Sequence, residues 1–310
     1  MSFDILAIGG AHIDRRGRLF GDTKPGSSNP GQWFEEAGGG VFNAACNLSR
    51  LGHRVRLVAP RGGDPAGQTV ADAAERAGLD DCPVVFLDRA TPSYTAILEC
   101  DGNLVIALAD MALYDMFSAR RLRARSTRDS LDIARHANLA GPTITALAEE
   151  TTKRGIGLSA IAISPAKVLR LREALPRIDH LFLNVAEAES LTGKTAARPE
   201  DWPAILRLAG LRGGSVTSGG RIAIAFDETS AAAIEPAPVT QIADVTGAGD
   251  AFAAGFLRAR LAGDDLCDAL RQATAAAAIT LASPHATEEN LTPQRLETQL
   301  ALVPRARFLP

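Results

Sequence analysis

The segment 244–257, with the sequence DVTGAGDAFAAGFL, constrains the fold of this chain more than any other. Its small residues 247–249 directly precede an apolar pattern in which Phe252 and Phe256 lie four positions apart, as on one face of a helix. The first N–H groups of a helix lack intrahelical partners and carry partial positive charge, and glycine lets an anion approach them closely. The segment therefore predicts a helix start that binds phosphate.

Asp250 ends this run of small residues, at a position where a carboxylate would repel a bound phosphate. Its presence is explained if it accepts the proton of a hydroxyl group that attacks a phosphoryl group held by the helix. A structural explanation is also open, in which Thr246 caps the helix and Asp250 interacts with the helix dipole. The segment alone does not decide between the two.

Composition and charge exclude several classes of protein. The chain has 310 residues, 46% of them hydrophobic, and a formal net charge of −3, so it can bury a core but offers no basic surface to a nucleic-acid polymer. No apolar run is long enough to cross a membrane, and we expect no signal peptide. The four cysteines lack C-x-x-C spacing, which indicates a reducing compartment. We therefore expect a cytoplasmic protein without a membrane partner.

Strand and helix patterns alternate along most of the chain, beginning with a buried strand at 3–8. This alternation predicts an α/β fold in which helices cover both faces of a mostly parallel sheet, in a single domain over residues 1–310. The glycine-rich turn after the first strand does not match the G-x-G-x-x-G motif of dinucleotide-binding folds, because Ala11 and Asp14 stand where glycine is needed.

The pattern changes at 94–99 and 104–109, two strand-like runs joined by the turn sequence DGN, which is typical of a hairpin. We expect this hairpin to form a small sheet together with the irregular segment before the first long helix, from about residues 11–37 and 92–112. Placed over the carboxyl ends of the main strands, such a sheet would be a lid that excludes water from a reaction.

Asn184 and Glu187 lie at a predicted helix start directly after a strand. An asparagine and a glutamate at this spacing can hold a hydrated Mg²⁺ ion and the phosphates it bridges. The same two residues can instead form a capping box that only stabilises the helix. Both interpretations are open at this point.

Two further positions carry side chains suited to binding a sugar. Asp14 can accept hydrogen bonds from two neighbouring hydroxyl groups, and Asn43 can both donate and accept them. Gly38 and Gly39 precede Asn43 and would admit the ligand. The alternatives are a turn aspartate and an ordinary helix start.

In this order the motifs resemble those of the ribokinase-like carbohydrate and nucleoside kinases of the phosphofructokinase-B type, over essentially the whole chain. That family carries G-G-x-x-x-N, N-x-x-E and D-T-x-G-A-G-D segments, which stand here at 38–43, 184–187 and 244–250. The resemblance implies a ribokinase-like three-layer α/β/α fold with a small β-sheet lid. It also implies ATP as the phosphoryl donor and a requirement for Mg²⁺.

The resemblance assigns a role to each candidate residue. The amides of the motif form the anion hole and its last residue is the base: Gly247, Ala248, Gly249 and Asp250. The acceptor is bound by Asp14, Asn29, Gly38, Gly39 and Asn43. The nucleotide side is formed by Asn184, Glu187, Thr217, Gly219 and Thr246, with Glu187 holding Mg²⁺ through water. Many members bind a monovalent cation through carbonyl groups near the positions of Asp244 and Thr246, so K⁺ is a further expectation there.

Within this family, the segments GGAHIDRRG at 9–17 and SSNPG at 27–31 are similar to those of pseudouridine kinases. Three residues depart from the pattern. His12 replaces the usual asparagine beside the substrate aspartate, Ser164 stands where relatives tend to have aspartate, and Phe42 replaces a smaller or basic residue. These departures bear on which nucleoside is bound and leave the chemistry unchanged.

We therefore expect the γ-phosphoryl group of ATP to be transferred to the primary (5′) hydroxyl of a nucleoside, with pseudouridine as the first candidate. Tyr94 and Phe42 are the aromatic residues expected to stack on a base. A ribokinase- or fructokinase-like sugar kinase is one alternative, and a non-catalytic sugar or nucleoside sensor is another. Lids in this family often pair between subunits, which predicts a homodimer through the lid.

Overall fold

A computed structural model describes residues 3–118, 132–136 and 139–310. Their main sheet has ten strands, of which seven are mutually parallel and the last three are added antiparallel at one edge. From edge to edge the strands are Asp80–Asp81, Val55–Val58, Ile5–Ile8, Asp132–His136, Gly157–Ile161, His180–Asn184, Gly214–Thr217, Ala223–Phe226, Ala231–Ile234 and Arg307–Phe308. The predicted mostly parallel sheet is confirmed.

Helices cover both faces of this sheet because its strands are apolar on both sides. In the first strand Ile5 and Ala7 belong to one buried cluster, whereas Leu6 and Ile8 belong to another, as the alternation of side chains along a strand requires. The first cluster contains residues of the helices Gly40–Arg50, Pro65–Arg76, Ala248–Ala262, Leu266–Leu281 and Pro293–Leu300. The second contains residues of Gly141–Arg154, the 3₁₀ helix Val168–Arg177, Val185–Thr192 and Trp202–Leu208. The result is the expected three-layer α/β/α arrangement.

The second sheet has four strands: Gly31–Gly38, His12–Leu19, Ser93–Leu98 and Leu104–Asp110, in that spatial order. We call it the lid sheet. The outer pairs are antiparallel and the central pair is parallel. Its strands come from the two segments that the sequence indicates, and Leu104–Asp110 is an edge strand whose seven residues are all exposed. A further parallel pair joins Pro60–Gly62 to Val84–Phe86.

Some elements differ from the sequence expectation. The sequence at 166–174 predicts an α-helix, but the structure has a 3₁₀ helix over Val168–Arg177, and it contains Pro176, which cannot donate a helical hydrogen bond. The strand Ala231–Ile234 has the sequence AAAI, whose alanines give little signal for a strand. The basic segment 120–128, whose alternation with polar residues predicts a solvated helix face, lies outside the described residues.

No helix in the described ranges combines the length and the apolar character needed to cross a bilayer. The four cysteines form no disulfide, in agreement with their irregular spacing.

Phe256 attaches the helix Ala248–Ala262 to the main sheet. It is fully buried, and its ring lies edge-to-face on Phe182 with centroids 5.6 Å apart and 4.2 Å from the His180 ring. Phe256→Ala should therefore lower the free energy of unfolding by about 3–5 kcal/mol, as for other buried aromatic truncations. Urea unfolding followed by circular dichroism measures this change.

Leu208→Ala is the matched control, because Leu208 is 80% exposed and its loss should change stability by less than ~0.5 kcal/mol. Equal stability of the two variants would show that Phe256 does not anchor the helix.

Candidate active site

Asp14 lies on the lid strand His12–Leu19, where a buried chain of side chains holds it. Nε2 of His12 is 3.2 Å from Oδ1 of Asp14, and Nδ1 of His12 is 2.9 Å from the Tyr114 hydroxyl. Burial raises the pKa of Tyr114, so its hydroxyl keeps its proton and donates to Nδ1. Nε2–H of His12 is then left to donate to Asp14. His12, which stands where the family has asparagine, therefore fixes the position of the Asp14 carboxylate that would face a substrate.

Gly38 and Gly39 let the start of the helix Gly40–Arg50 approach Asp14. A Cβ on Gly38 would lie 2.0 Å from Oδ2 of Asp14, and one on Gly39 would lie 2.6 Å from the carbonyl oxygen of Gly10. Gly39 also has a φ of +109°, which side chains disfavour. Gly39 is thus required by the backbone, whereas a side chain at position 38 would displace the Asp14 carboxylate.

Asn43 joins this helix to the motif helix. Its Nδ2 donates to Oδ2 of Asp250 over 2.9 Å, a contact between residues far apart in sequence. Its Oδ1 is buried, and no described residue donates a hydrogen bond to it. A buried acceptor without a partner is costly, and a hydroxyl group of a bound molecule would satisfy it.

The motif forms a helix start, as predicted, but Thr246 is not its cap. The cap position is taken by Gly247 without any side-chain hydrogen bond, and Thr246 donates through its N–H and hydroxyl to Oδ1 of Asp244. A Cβ on Gly247 would lie 1.9 Å from the Ala286 carbonyl oxygen, whereas one on Gly249 would meet no atom within 4 Å. The uncapped amides therefore border open space at Gly249, which suits an incoming anion.

Asp250 has the electrostatics of a general base. Desolvation raises its pKa to about 7, the negative charges of Asp14 and Glu187 add to this, and the hydrogen bond from Asn43 opposes it. A carboxyl group with a pKa near neutral pH can take a proton from a hydroxyl group and release it again.

Asn184 and Glu187 do form a capping box. Oδ1 of Asn184 accepts from the N–H of Glu187 over 2.9 Å, and Oε2 of Glu187 accepts from the N–H of Asn184 over 2.8 Å. Glu187 nevertheless lines the same small cavity as Asp250, and burial raises its pKa. The capping box uses one of its two carboxylate oxygens, so it leaves a place for a metal-bound water.

Asn43 and Asp250, which share a hydrogen bond, line two different cavities. The larger, of about 740 Å³, lies against the lid sheet and is lined by His12, Asp14, Gly39, Asn43, Asp244 and Thr246 among others. The smaller, of about 120 Å³, is lined by Asn184, Glu187, Thr217, Gly249 and Asp250 among others. Thr246, expected beside Asn184 and Glu187, thus lies in the other cavity, with Asp14 and Asn43. Gly219, in the turn after Gly214–Thr217, has a φ of +56° and lines neither cavity.

Asn29 and Phe42 do not reach the cavities either. Asn29 is held by its own turn, where its side chain bonds to the backbone of Lys24 and Ser27. Phe42 is 2% exposed and packs in the core, so only Tyr94 of the two expected aromatic residues lines the larger cavity.

Four residues of the site were missed by sequence reasoning: Arg16, Glu36, Tyr114 and Lys167. Arg16, Glu36 and Lys167 line the larger cavity, and Tyr114 supports it from behind. Arg16 could have been predicted from the sequence. It is two positions after Asp14 on the same strand, and residues two apart on a strand place their side chains on one face.

The metal expectations can be tested against the donors present. Among the described residues no three His, Cys, Asp or Glu side chains cluster as metal ligands would. This fits Mg²⁺, which keeps several waters and takes phosphate oxygens alongside one or two carboxylates, here Glu187. The carboxylate of Asp244 does not suit K⁺, because Arg16 and Thr246 already donate to its two oxygens and Arg16 brings a positive charge.

A helix start open to an anion, with a carboxyl group of near-neutral pKa at its edge and hydrogen-bonding side chains nearby, is an arrangement suited to phosphoryl transfer to an alcohol. The sequence profile described as "pfkB family carbohydrate kinase" matches residues 2–293, and the chain belongs to that family. It is an ATP-dependent kinase of sugars or nucleosides with a ribokinase-like fold.

Individual relatives agree with the family. A carbohydrate kinase from Agrobacterium tumefaciens has a solved structure with a TM-score of 0.89, 54% identity and coverage of 98% of this chain and 99% of its own. A pseudouridine kinase from Escherichia coli (strain K12) is 25% identical over 98% of both chains. A ribokinase from Haemophilus influenzae is 27% identical over 89% of this chain and 90% of its own.

The pKa of Asp250 predicts an acidic limb in the pH profile. Its folded-state pKa is raised from 3.8 to about 7, so the carboxyl is protonated and inactive as a base below that pH. We expect kcat/KM for the acceptor to fall about tenfold per pH unit below this pKa and to level off above it. Steady-state kinetics at saturating ATP measure the profile.

A profile that stays level down to about pH 5, near the ordinary range of a carboxyl group, would contradict this assignment. Circular dichroism at each pH separates loss of activity from loss of structure.

Proposed function

We propose that this kinase transfers the γ-phosphoryl group of ATP to the primary hydroxyl of a nucleoside, with pseudouridine as the first candidate. The mixed lining of the larger cavity is the observation that carries the proposal. Asp14 and Asn43 contribute polar groups to it, and Tyr94, Leu98 and Met111, from the lid sheet and the segment after it, contribute apolar surface. A ribose would match the polar groups and a planar base the apolar surface.

In this proposal each residue acts at a defined atom. The carboxylate of Asp14 and the unpartnered Oδ1 of Asn43 accept hydrogen bonds from the ribose hydroxyls and orient the primary hydroxyl. The carboxylate of Asp250 takes the proton of that hydroxyl as the bond to phosphorus forms. The backbone amides of residues 247–250 stabilise the charge of the transferring group, which supplies most of the rate.

The nucleotide side is formed by Asn184, Glu187 and Thr217, which line the smaller cavity. Thr246 lines the larger cavity and Gly219 lines neither, so these two are left out. A bound Mg²⁺ ion would supply charge neutralisation of the phosphates, held to the protein through water on Glu187. Asn29 is left out, because its side chain is committed to its own turn.

The experiment is a comparison of acceptors with purified protein, ATP and Mg²⁺. If the apolar surface binds a base, burying about 100 Å² of it at ~25 cal/mol per Å² should favour pseudouridine over ribose by roughly 60-fold in kcat/KM. Uridine, inosine and fructose complete the panel. Ribose used as efficiently as pseudouridine would favour the ribokinase-like alternative, which the Haemophilus influenzae relative supports.

Asp250→Asn provides the control for this panel. It keeps the shape of the side chain and an oxygen that accepts from Asn43 but removes the base, so turnover should fall at least ~10²-fold while ATP binding is retained. Isothermal titration with ATP measures the retained binding. Turnover close to that of the unchanged protein would contradict the assignment of Asp250, and absence of any acceptor-dependent ATP use would favour a sensor.

We also propose that two copies of the chain pair through the edge strand Leu104–Asp110. Leu104, Ile106 and Leu108 are 58%, 64% and 69% exposed, and an apolar edge strand is a template for a second strand. A second copy presents the same edge, as a two-fold symmetric contact requires. A single contact would then hold the lid sheets of both copies in place.

Ile106→Lys should weaken this dimer, because the two introduced charges would face each other across the symmetric contact. Sedimentation equilibrium should give a dissociation constant at least ~10-fold higher than for the unchanged chain. Leu208→Lys, at an exposed position outside the lid sheet, should leave it unchanged. An unchanged chain that sediments as a monomer would refute the pairing.

A further inference from the structure

Arg16 links the lid sheet to the phosphate-binding loop. It lies on the strand His12–Leu19, and its guanidinium bonds through Nη1 to Oδ2 of Asp244 and through Nη2 to Oε1 of Glu36, the latter over 2.5 Å. The Arg16 and Asp244 side chains are only 24% and 22% exposed. Glu36 in turn lies 3.4 Å from Nδ1 of His285. One guanidinium therefore contacts an acid of the lid and an acid of the loop.

Both carboxylate oxygens of Asp244 already accept hydrogen bonds, and one of them faces the guanidinium of Arg16. Oδ1 of Asp244 accepts from the N–H of Thr246 over 2.9 Å and from the Thr246 hydroxyl over 2.8 Å, while Oδ2 accepts from Arg16. Burial of the carboxylate opposes ionisation, but the hydrogen bonds from Thr246 and the charge of Arg16 outweigh it and hold the pKa of Asp244 below its usual range. A monovalent ion placed here would displace a hydrogen bond and be repelled by the guanidinium.

The loop that Asp244 begins leads directly to the anion hole. Its other end is fixed at Gly247, whose α-carbon packs so closely on the Ala286 carbonyl that no side chain fits. The position of the amides at 247–250 thus depends on how Asp244 is held. A fixed positive charge at Asp244 neutralises a carboxylate beside a site that must accept phosphates.

We propose that Arg16 takes the place of the monovalent cation that the family resemblance implies. The guanidinium neutralises Asp244, fixes the loop 244–247 and ties it to the lid sheet, so that this kinase works without K⁺. Arg16 is a positioning residue, because it acts on the anion hole through Asp244. The activity measurements that test this role use the proposed nucleoside substrate, so they rest on the proposed function.

The test compares the unchanged chain with Arg16→Ala in tetramethylammonium chloride and in KCl at equal ionic strength. The unchanged chain should give the same kcat/KM in both salts to within about twofold, since screening is equal. Arg16→Ala should lose at least ~10-fold in tetramethylammonium, because a charge-assisted hydrogen bond is removed, and K⁺ should restore part of it.

A second readout requires no substrate. The melting temperature of Arg16→Ala should rise when K⁺ replaces tetramethylammonium, and Tl⁺, followed by its NMR signal, should bind the variant and not the unchanged chain. Arg15→Ala is the matched control. Arg15 is the next residue on the same strand, pairs with Glu35 over 2.6 Å and does not line the cavity, so its loss should produce neither effect.

K⁺ stimulation of the unchanged chain would overturn the proposal. The proposal would also be overturned if Arg16→Ala had the same activity and melting temperature as Arg15→Ala. The same holds if K⁺ changed neither the activity nor the melting temperature of Arg16→Ala. If no acceptor is phosphorylated, the proposed nucleoside substrate fails, while the melting and Tl⁺ measurements still decide the role of Arg16.

Discussion

The hydrogen bond between Asn43 and Asp250 is the contact on which the site depends. It crosses from the helix beside the lid to the helix that carries the anion hole, and it holds a carboxylate whose pKa is raised by desolvation. Because the folded-state pKa of Asp250 is raised, its carboxyl group stabilises the fold fully only below the pKa that this group has in the unfolded chain. That contribution is lost as the pH rises through the folded-state value. The ionised base that catalysis needs therefore opposes stability, and burial of the surrounding helices must offset it.

The architecture explains why these groups meet. Parallel strands end at one edge of the sheet, and the strands His180–Asn184 and Gly214–Thr217 bring Asn184 and Thr217 to the small cavity there. The helix start at Gly247 reaches the same cavity through Gly249 and Asp250. The lid sheet supplies Asp14 and Arg16 from one strand, two positions apart and so on one face. A closed lid would exclude water, which would otherwise compete with the acceptor for the phosphoryl group.

Much of this arrangement can be predicted from local sequence patterns. The run of small residues before Phe252 predicted the helix start, and the alternating strands and helices predicted the layered fold. Contacts between residues far apart in sequence could not be predicted in this way. No local pattern could show that His12 bonds to Tyr114, that Arg16 reaches Asp244, or that Phe42 turns into the core, because each depends on how the lid and the main sheet pack.

The Asn184–Glu187 pair illustrates the same limit in another way. Its spacing allowed a capping box or a magnesium site, and the folded chain has the first while keeping Glu187 beside Asp250. Short motifs of this kind often serve a structural and a chemical role with different atoms of one side chain. The strand Ala231–Ile234 could not be predicted for a different reason. Its alanines carry little strand signal, and it forms by pairing with Ala223–Phe226 on one side and Arg307–Phe308 on the other.

The most direct test of the account is a crystal structure with a non-transferable ATP analogue, Mg²⁺ and the preferred acceptor. The account predicts the terminal phosphoryl group at about 3 Å from the backbone amide of Gly249, with the acceptor hydroxyl between that phosphorus and the Asp250 carboxylate. A terminal phosphorus bound away from Gly249, or an Asp250 side chain turned into the interior, would contradict it.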